Sequence, residues 1–168
     1  MPRTFTLSER YSASVEQLYA AFADERYWLA RLADSGADAT TLQSLTVGPA
    51  GIEVSTTQSV RRDKLPALAA QFHPGDLQVA RQEIWHPIHD GTGHAEVTGT
   101  IVGAPATLSG SAALQPDGGD CELRLTATVH VEIPLVGGKI EKFIGAQLAG
   151  LLAAEQRFTT TWLDAERR

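Results

Sequence analysis

The chain has 168 residues, of which 43% are hydrophobic and 20% are charged, a composition typical of one globular domain. Its net charge of -6 and isoelectric point near 5.3 argue against nucleic acid as the main partner, because phosphate binding needs clustered lysine and arginine. The single cysteine, Cys121, excludes an internal disulfide and a Cys-x-x-Cys zinc pattern, so a reducing, cytoplasmic location is expected.

The first segment, from Pro2 to Glu9, alternates polar and apolar residues. This alternation predicts a strand with Phe5, Leu7 and Tyr11 on one face, and it lacks the apolar core of a signal peptide. The most apolar run of the chain, 146–154, is too short to cross a bilayer. We therefore expect no integral membrane segment.

Two short helices are predicted after the first strand. Ser14 marks the start of the first, with Gln17 at the spacing of a capping box, and the helix is expected to run from Val15 to about Ala23. The second is expected from Asp24 to about Ala33. Its apolar side chains are those of Tyr27, Trp28 and Leu32.

The middle of the chain, from Thr40 to Ile133, is predicted to be a run of antiparallel strands. Each hairpin is placed so that its apolar residues stay on one face, because a slip of one residue would move all of them to the other face. The outer face then carries Arg81, Glu83, Trp85 and many serines and threonines, which is typical of a solvated face. The predicted pairs are Leu45 with Val54, Val47 with Ile52, Ile84 with Val97, His86 with Ala95, Gly99 with Gly110, Leu114 with Cys121, and Ala112 with Leu123.

The segment between Asp63 and Asp76 interrupts the strands. It lacks period-two alternation and ends in Pro74-Gly75, which predicts a loop with one helical turn. Leu65, Leu68 and Phe72 make this loop unusually apolar. Such a loop either plugs one end of the core or folds over a ligand.

The last helix is predicted from Val136 to Glu166, where apolar residues recur at three- and four-residue spacing. Its roughly 30 residues would span about 45 Å, at 1.5 Å per residue. A sheet of six or seven strands is about 30 Å wide. One helix can therefore cross the whole sheet.

This order of elements resembles the START-like (SRPBCC) superfamily, the helix-grip fold of birch pollen allergens, lipid-transfer domains and polyketide cyclases. The segment from Tyr11 to Tyr19 with Asp24 resembles the superfamily's passage from first strand to first helix. The stretch from Leu65 to Leu77 and the sequence Trp85-His86-Pro87 resemble an actinobacterial family of undescribed function. The resemblance covers nearly the whole chain.

The resemblance implies a single α+β domain over residues 1–168. A curved antiparallel sheet of six to seven strands would pack two short N-terminal helices and, across its concave face, one long C-terminal helix. In relatives, the cavity between sheet and helix holds lipids, sterols, polyketides or other apolar molecules. A small apolar or amphipathic molecule is therefore the partner that the resemblance implies.

The predicted inner face is lined by small and polar residues. A buried polar group without a hydrogen bond costs about 1–3 kcal/mol, so these groups need a ligand, a water or a neighbouring side chain. The glycines have an alternative role in bending the sheet. The helix residues Gln147 and Glu155 have an alternative in contact with Glu9, Arg31 or the sheet rim. The candidate ligand-binding residues are Gln43, Thr56, Gln58, Gln82, His86, Gly99, Gly110, Phe143, Gln147, Leu151, Glu155 and, from the loop, Phe72.

Catalytic and cofactor motifs are weak in this chain. His86, His89 and His94 lie close in sequence, but their spacing in a strand and turn argues against a metal site. His86 is a weak candidate acid or base, since no acidic partner is identifiable on its predicted face. Without a Gly-x-Ser-x-Gly, P-loop or Gly-x-Gly-x-x-Gly sequence, no cofactor is expected. Cys121 is expected to point inward and to be inert.

Three functions are compatible with these patterns. The favoured one is binding or transport of a small hydrophobic or amphipathic ligand, without turnover. The second is an enzyme of cyclase, dehydratase or hydrolase type that uses His86 with Gln82 or Glu155. The third is a co-chaperone-like interaction module that uses Trp85 and the outer face of the sheet.

Overall fold

The computed structural model describes residues 2–61 and 76–167, which form one seven-stranded antiparallel sheet and three helices. The predicted α+β helix-grip fold is confirmed. The strands follow the order β1-β7-β6-β5-β4-β3-β2 across the sheet. The elements are β1 Arg3–Tyr11, α1 Val15–Phe22, α2 Glu25–Asp34, β2 Ala39–Gly48, β3 Gly51–Val60, β4 Leu77–Trp85, β5 Gly93–Ile101, β6 Ala106–Asp117, β7 Asp120–Val131 and α3 Gly137–Glu166.

The N-terminal elements form as the sequence predicts. The Ser14 hydroxyl accepts a hydrogen bond from the Gln17 amide at 3.1 Å, and the Gln17 side chain accepts one from the Ser14 amide at 2.8 Å. This capping box satisfies amides that the first turn of α1 leaves unpaired. Asp24 is the N-cap of α2, where its carboxylate accepts a hydrogen bond from the Arg26 amide at 2.9 Å.

The hairpin of β2 and β3 has the predicted register, with Leu45 opposite Val54 and Val47 opposite Ile52. A bulge lies earlier in β2, where the register shifts between Leu42 and Ser44. Residue 43 is the extra residue of this bulge. A bulged residue leaves the ladder, so its side chain no longer follows the alternation of the strand.

The pairing registers of the β5–β6 and β6–β7 hairpins are each shifted by two residues from the predicted ones. Because side chains alternate with a period of two, this shift keeps each side chain on its predicted face. Gly99, for example, lies opposite Leu108 instead of Gly110. In the β6–β7 hairpin the cause is a two-residue turn at Gly118 and Gly119, where the sequence suggests a longer loop. Gly118 has a φ of +65°, which suits such a turn.

Strand β4 is out of its predicted register with β5 by one residue, because Trp85 pairs with Ala95. A bulge causes this shift. His86 pairs with His94, and His89 pairs with Thr92. Two residues, Pro87 and Ile88, therefore lie opposite the single residue Gly93. Proline has no N–H to donate, so the chain cannot continue the ladder through this position.

The shift reverses the two faces of β4. Trp85 lies in the core with 2% of its surface exposed, and its ring centroid is 5.0 Å from that of Phe22. Arg81 and Glu83 point inward with it. The predicted pairs of Ile84 with Val97 and of His86 with Ala95 are therefore wrong, as is the outward placement of Arg81, Glu83 and Trp85.

The core lies between the inner face of the sheet and the helices, in two clusters. The larger one joins α1, α2, the C-terminal half of α3 and the middle strands. The smaller one packs Ile140, Ile144 and Leu148 of α3 against Val129 and Val131 of β7. Across residues 2–61 and 76–167, no helix has both the length and the apolar character needed to cross a bilayer.

Gly110 is a position where the fold requires glycine. A Cβ built there would overlap the Thr126 carbonyl oxygen and lie 3.0 Å from the Ala127 Cα, both of which are backbone atoms. We expect Gly110→Ala to destabilise the protein by about 1–3 kcal/mol in chemical denaturation, because the neighbouring strand must shift. Gly119→Ala is the matched control, since a Cβ at Gly119 meets open space. Equal stability of the two variants would contradict the close approach of the Gly110 backbone to the backbone of Thr126 and Ala127.

Candidate functional site

A cluster of four charged side chains occupies the space between α2, β4 and α3. The Glu155 carboxylate accepts from Arg31 Nη2 at 2.6 Å and from Arg81 Nη1 at 2.7 Å. Arg81 also contacts Glu83, with 3.1 Å between Nη2 and Oε2. The exposed fraction of these side chains lies between 7% and 23%. Arg31, Arg81, Glu83 and Glu155 are called the charge cluster below.

Aromatic and hydroxyl groups surround the charge cluster. Trp85 Nε1 donates to Glu83 Oε1 at 3.1 Å, and the Arg31 guanidinium lies 4.7 Å from the centre of the Trp28 ring. Arg31 Nη1 donates to the Tyr27 hydroxyl at 3.3 Å. That hydroxyl is in turn 2.7 Å from the Thr159 hydroxyl. These contacts hold the four charges in fixed positions, as buried ion pairs require.

The Glu155 carboxylate keeps its negative charge between its two arginine partners. Burial raises the pKa of Glu155, but the positive charges of Arg31 and Arg81 outweigh it and lower the pKa to about 2. Burial lowers the pKa of Arg31, and Glu155 and the neighbouring Tyr27 raise it well above its ordinary value. The two guanidinium groups thus balance the two carboxylates.

Two small cavities lie beside the charge cluster, with volumes of about 50 Å³ and 40 Å³. Each has room for a few water molecules. Arg31, Arg81 and Glu155 line both. The first is also lined by Trp28, Leu32, Asp34, Ser35, Thr56, Gln58, Leu151, Ala154 and Phe158, and the second by Tyr11, Phe22, Tyr27, Glu83, Trp85, Val97, Ala112, Leu123, Leu125 and Leu152.

Four of the predicted ligand-binding residues lie at the first cavity: Thr56, Gln58, Leu151 and Glu155. Thr56 is buried, whereas Leu151 is 40% exposed at the edge. Glu155 makes the contact with Arg31 that the sequence suggested as its alternative role. Whether these four residues bind a ligand stays a prediction.

Three predicted residues point away from the cavities. Gln43 is the bulged residue of β2, and its side chain donates to the Thr57 hydroxyl at 3.2 Å on the outer face. Gln82 donates to Glu53 at 2.9 Å, also on the outer face. The inward placement of Gln43, Gln82 and His86 is therefore wrong. The causes are the bulge in β2 and the reversal of β4.

His86 lies just beyond β4 with its side chain 51% exposed, and its Nε2 is 3.7 Å from Glu96 Oε2. It is separated from Glu155 by the sheet, so the predicted pairing of His86 with Glu155 is wrong, and Gln82 lies with His86 on the outer face, away from the cavities. His89 is also exposed, 3.3 Å from Asp90. Within the described parts of the chain, no three histidine, cysteine or acidic side chains are grouped to hold a metal ion.

Gly99, Gly110, Phe143 and Gln147, also predicted as ligand-binding residues, do not line either cavity. Gly99 lies in β5 beside Leu108, and Gly110 lies in β6 against the backbone of Thr126 and Ala127. Phe143 is half-buried and Gln147 is exposed. Phe72, with Leu65 and Leu68, lies outside the described residues.

Cys121 is buried as predicted, and burial raises its pKa to about 11. A thiol of this kind stays protonated near neutral pH, so it is a poor nucleophile.

Sequence reasoning missed Arg81, Glu83 and Trp85 as inner residues. One sign of their inward orientation lies in the sequence: Arg81, Glu83 and Trp85 occupy alternate positions of one strand. The two opposite charges can therefore pair on the same face as the tryptophan. Pro87, immediately after the strand, could have indicated the bulge. The sequence indicates Arg31 only as a possible contact of Glu155.

Comparison with known proteins places the chain in a family. The model of the family described as "Protein of unknown function (DUF2505)" matches residues 6–163. The chain is 45% identical over 170 residues to "Uncharacterized protein Rv0481c" of Mycobacterium tuberculosis, covering 97% of this chain and 98% of the relative. This agrees with the resemblance to an actinobacterial branch of undescribed function.

Solved structures share the fold at low sequence identity. TTHA0849 from Thermus thermophilus matches with a TM-score of 0.64 at 12% identity, covering 99% of this chain and 100% of that one. Ara h 8.0201 matches with a TM-score of 0.56 at 12% identity, covering 96% and 99%. A Thalictrum norcoclaurine synthase bound to a transition-state analogue matches with a TM-score of 0.53 at 14% identity, covering 100% and 98%. The chain therefore belongs to the DUF2505 family, and it shares the helix-grip fold of these solved structures.

Proposed function

We propose that this protein binds a small amphipathic molecule between the inner face of the sheet and α3, without turnover. The observation that carries the proposal is the pair of cavities beside the charge cluster. Ligand sites are concave and mostly apolar, with a few polar groups that fix the orientation of the ligand. The cavities have this composition.

The first cavity supports the proposal in detail. Trp28, Leu32 and Phe158 give it apolar walls, while Thr56 and Gln58 offer hydrogen-bonding groups. An amphipathic molecule could place its apolar part against the aromatic side chains and its polar part toward Arg81. This arrangement satisfies both kinds of wall.

The size of the cavities defines how a ligand would enter. At about 50 Å³ the first cavity is smaller than a lipid chain, so a larger ligand must displace a side chain at its edge. Leu151 can supply this movement, because it is already 40% exposed and loses few contacts by turning outward. Ligand binding is therefore expected to move Leu151 and the adjoining part of α3.

The other two functions lose the residues on which they depended. His86 and Gln82 lie on the face of the sheet opposite Glu155, which removes the proposed acid–base group. Trp85 is buried, so it is not a surface for a protein partner. Binding without turnover is the function that the inner face supports best.

Native mass spectrometry of purified protein, followed by a thermal-shift screen of fatty acids, isoprenoid quinones and polyketides, tests the proposal. A ligand present at a hundred times its dissociation constant should stabilise the fold by about 2.7 kcal/mol. This raises Tm by roughly 5–10 °C in a domain of this size. The proposal would be contradicted if no small molecule is bound to the purified protein and no compound of the screen raises Tm.

Ala154→Leu is expected to weaken binding of any hit by about tenfold or more, because the larger side chain fills the first cavity. Ala149→Leu is the matched control, since it makes the same change at an exposed position of the same helix. Isothermal titration calorimetry measures both variants. Equal affinities would place the ligand elsewhere on the protein.

A further inference from the structure

Arg81 has one donor that the rest of the cluster does not use. Its Nη1 donates to Glu155 Oε2 at 2.7 Å, and its Nη2 donates to Glu155 Oε1 at 3.3 Å and contacts Glu83 at 3.1 Å. Its Nε is buried and has no hydrogen-bond partner among the described residues. Such a donor costs about 1–3 kcal/mol when it stays unpaired.

The position of Arg81 connects this donor to the proposed ligand site. Arg81 lines both cavities, but its Nε is enclosed by protein atoms, so an acceptor reaches it only when binding moves a neighbouring side chain, as is expected of Leu151. A carbonyl, hydroxyl or ether oxygen would satisfy the Nε–H group without displacing Glu155. The binding energy then includes a hydrogen bond to a charged donor, which is stronger than one between neutral groups.

The charges of the cluster restrict what the occupant can carry. Arg31 and Arg81 are already balanced by Glu83 and Glu155 at distances of 2.6–3.1 Å. An anionic ligand would leave a net negative charge in a poorly solvated space, and a cationic ligand would leave a net positive one. A neutral ligand keeps the balance.

We propose that the ligand is a neutral amphipathic molecule that presents an oxygen acceptor to Arg81 Nε–H. The inference rests on the proposed binding function and specifies its ligand class. Ketones, quinones, esters and alcohols are therefore expected to bind, whereas ionised fatty acids and amines are expected to bind weakly. The molecule is recognised by its uncharged oxygen at one end and by its apolar body against the aromatic walls.

A series of octyl compounds tests this inference on the wild-type protein: 2-octanone, 1-octanol, octanoate, octylamine and octane, titrated at neutral pH by calorimetry or by ligand-observed NMR. We expect 2-octanone and 1-octanol to bind about tenfold or more tightly than the ionised compounds and octane. If octanoate, octylamine or octane binds as tightly as 2-octanone, the inference is overturned while the binding function stands. If none of the five binds, the wider thermal-shift screen decides: an ionised hit overturns the inference, a neutral hit with an oxygen acceptor supports it, and no hit at all overturns both.

Arg81→Lys provides a second test, because it keeps a positive charge for Glu155 and Glu83 but has no Nε–H at the same place. In a folded variant, the preference for 2-octanone over octane should fall to within about twofold, since the hydrogen bond supplies the discrimination. An unchanged preference would overturn the assignment to Arg81. If the variant does not fold, the rank order of the five compounds on the wild-type protein decides the question.

Discussion

Glu155→Gln should lower the free energy of unfolding by about 3–5 kcal/mol at neutral pH, because it leaves a buried arginine pair without one of its two counterions. Arg31 and Arg81 both donate to this carboxylate, at 2.6 Å and 2.7 Å. The expected fall in Tm is on the order of 10 °C for a domain of this size. Thermal and chemical denaturation measure the effect.

Asp164→Asn is the matched control for Glu155→Gln. It neutralises an acid on the same helix, in an exposed ion pair with Arg167 at 3.3 Å, and should cost less than about 1 kcal/mol. A loss in Glu155→Gln no larger than in this control would contradict a buried, structured charge cluster.

The stability difference between wild type and Glu155→Gln should also depend on pH. The pKa of Glu155 is about 2 in the folded protein, below the value of 4.5 for a free side chain. A carboxylate with a lowered pKa stabilises the fold fully above about pH 4.5 and loses that contribution as the pH falls toward 2. The difference should therefore narrow over this interval. A difference that stays constant would show that the charge of Glu155 does not contribute.

Trp85→Ala is expected to cost about 3–5 kcal/mol, the range for removing a large aromatic side chain from a core. The substitution removes the contact with Phe22 and the hydrogen bond to Glu83, which leaves that buried carboxylate with one fewer donor. Urea denaturation monitored by circular dichroism measures the change. Trp85→Phe should recover part of the loss, because the ring returns without the N–H group.

His86→Ala is the control for Trp85→Ala, since His86 is adjacent in sequence but exposed on the outer side of the sheet. We expect it to change stability by no more than about 0.5 kcal/mol. The predicted register of the sequence, with His86 inward and Trp85 outward, would give the reverse order. The pair of variants therefore distinguishes the two registers directly.

Much of the fold follows from local patterns in the sequence. Ser14 and Gln17 define the start of α1, the alternation from Phe5 to Tyr11 defines β1, and the apolar spacing after Val136 defines α3. These signals act over a few residues, within one element. They are sufficient to place the three helices of residues 2–61 and 76–167 within a residue of their observed bounds.

The candidate site was harder to predict because it depends on register. A single extra residue at Pro87 and Ile88 moves Arg81 and Trp85 to the inside and His86 to the outside. Local alternation is the same for both registers, so the pattern alone does not choose between them. The local signs were the opposite charges that share a face of β4 with Trp85, and the proline that follows the strand.

The charge cluster was hidden for a second reason, since its members are far apart in the chain. Arg31 is on α2, Arg81 is on β4 and Glu155 is on α3, and only the folded sheet brings them together. Glu155 was predicted to face inward from the helix periodicity. Its partners required the three-dimensional arrangement.

A titration of isotopically labelled protein with 2-octanone, followed by ¹H–¹⁵N NMR, tests most directly whether a ligand binds beside the charge cluster. The Nε–Hε signal of Arg81 and the backbone amides of Leu151 and Phe158 should move together, because all three residues line the first cavity. Changes confined to the outer face, at Gln82 and His86, with an unmoved Arg81 signal would contradict the account.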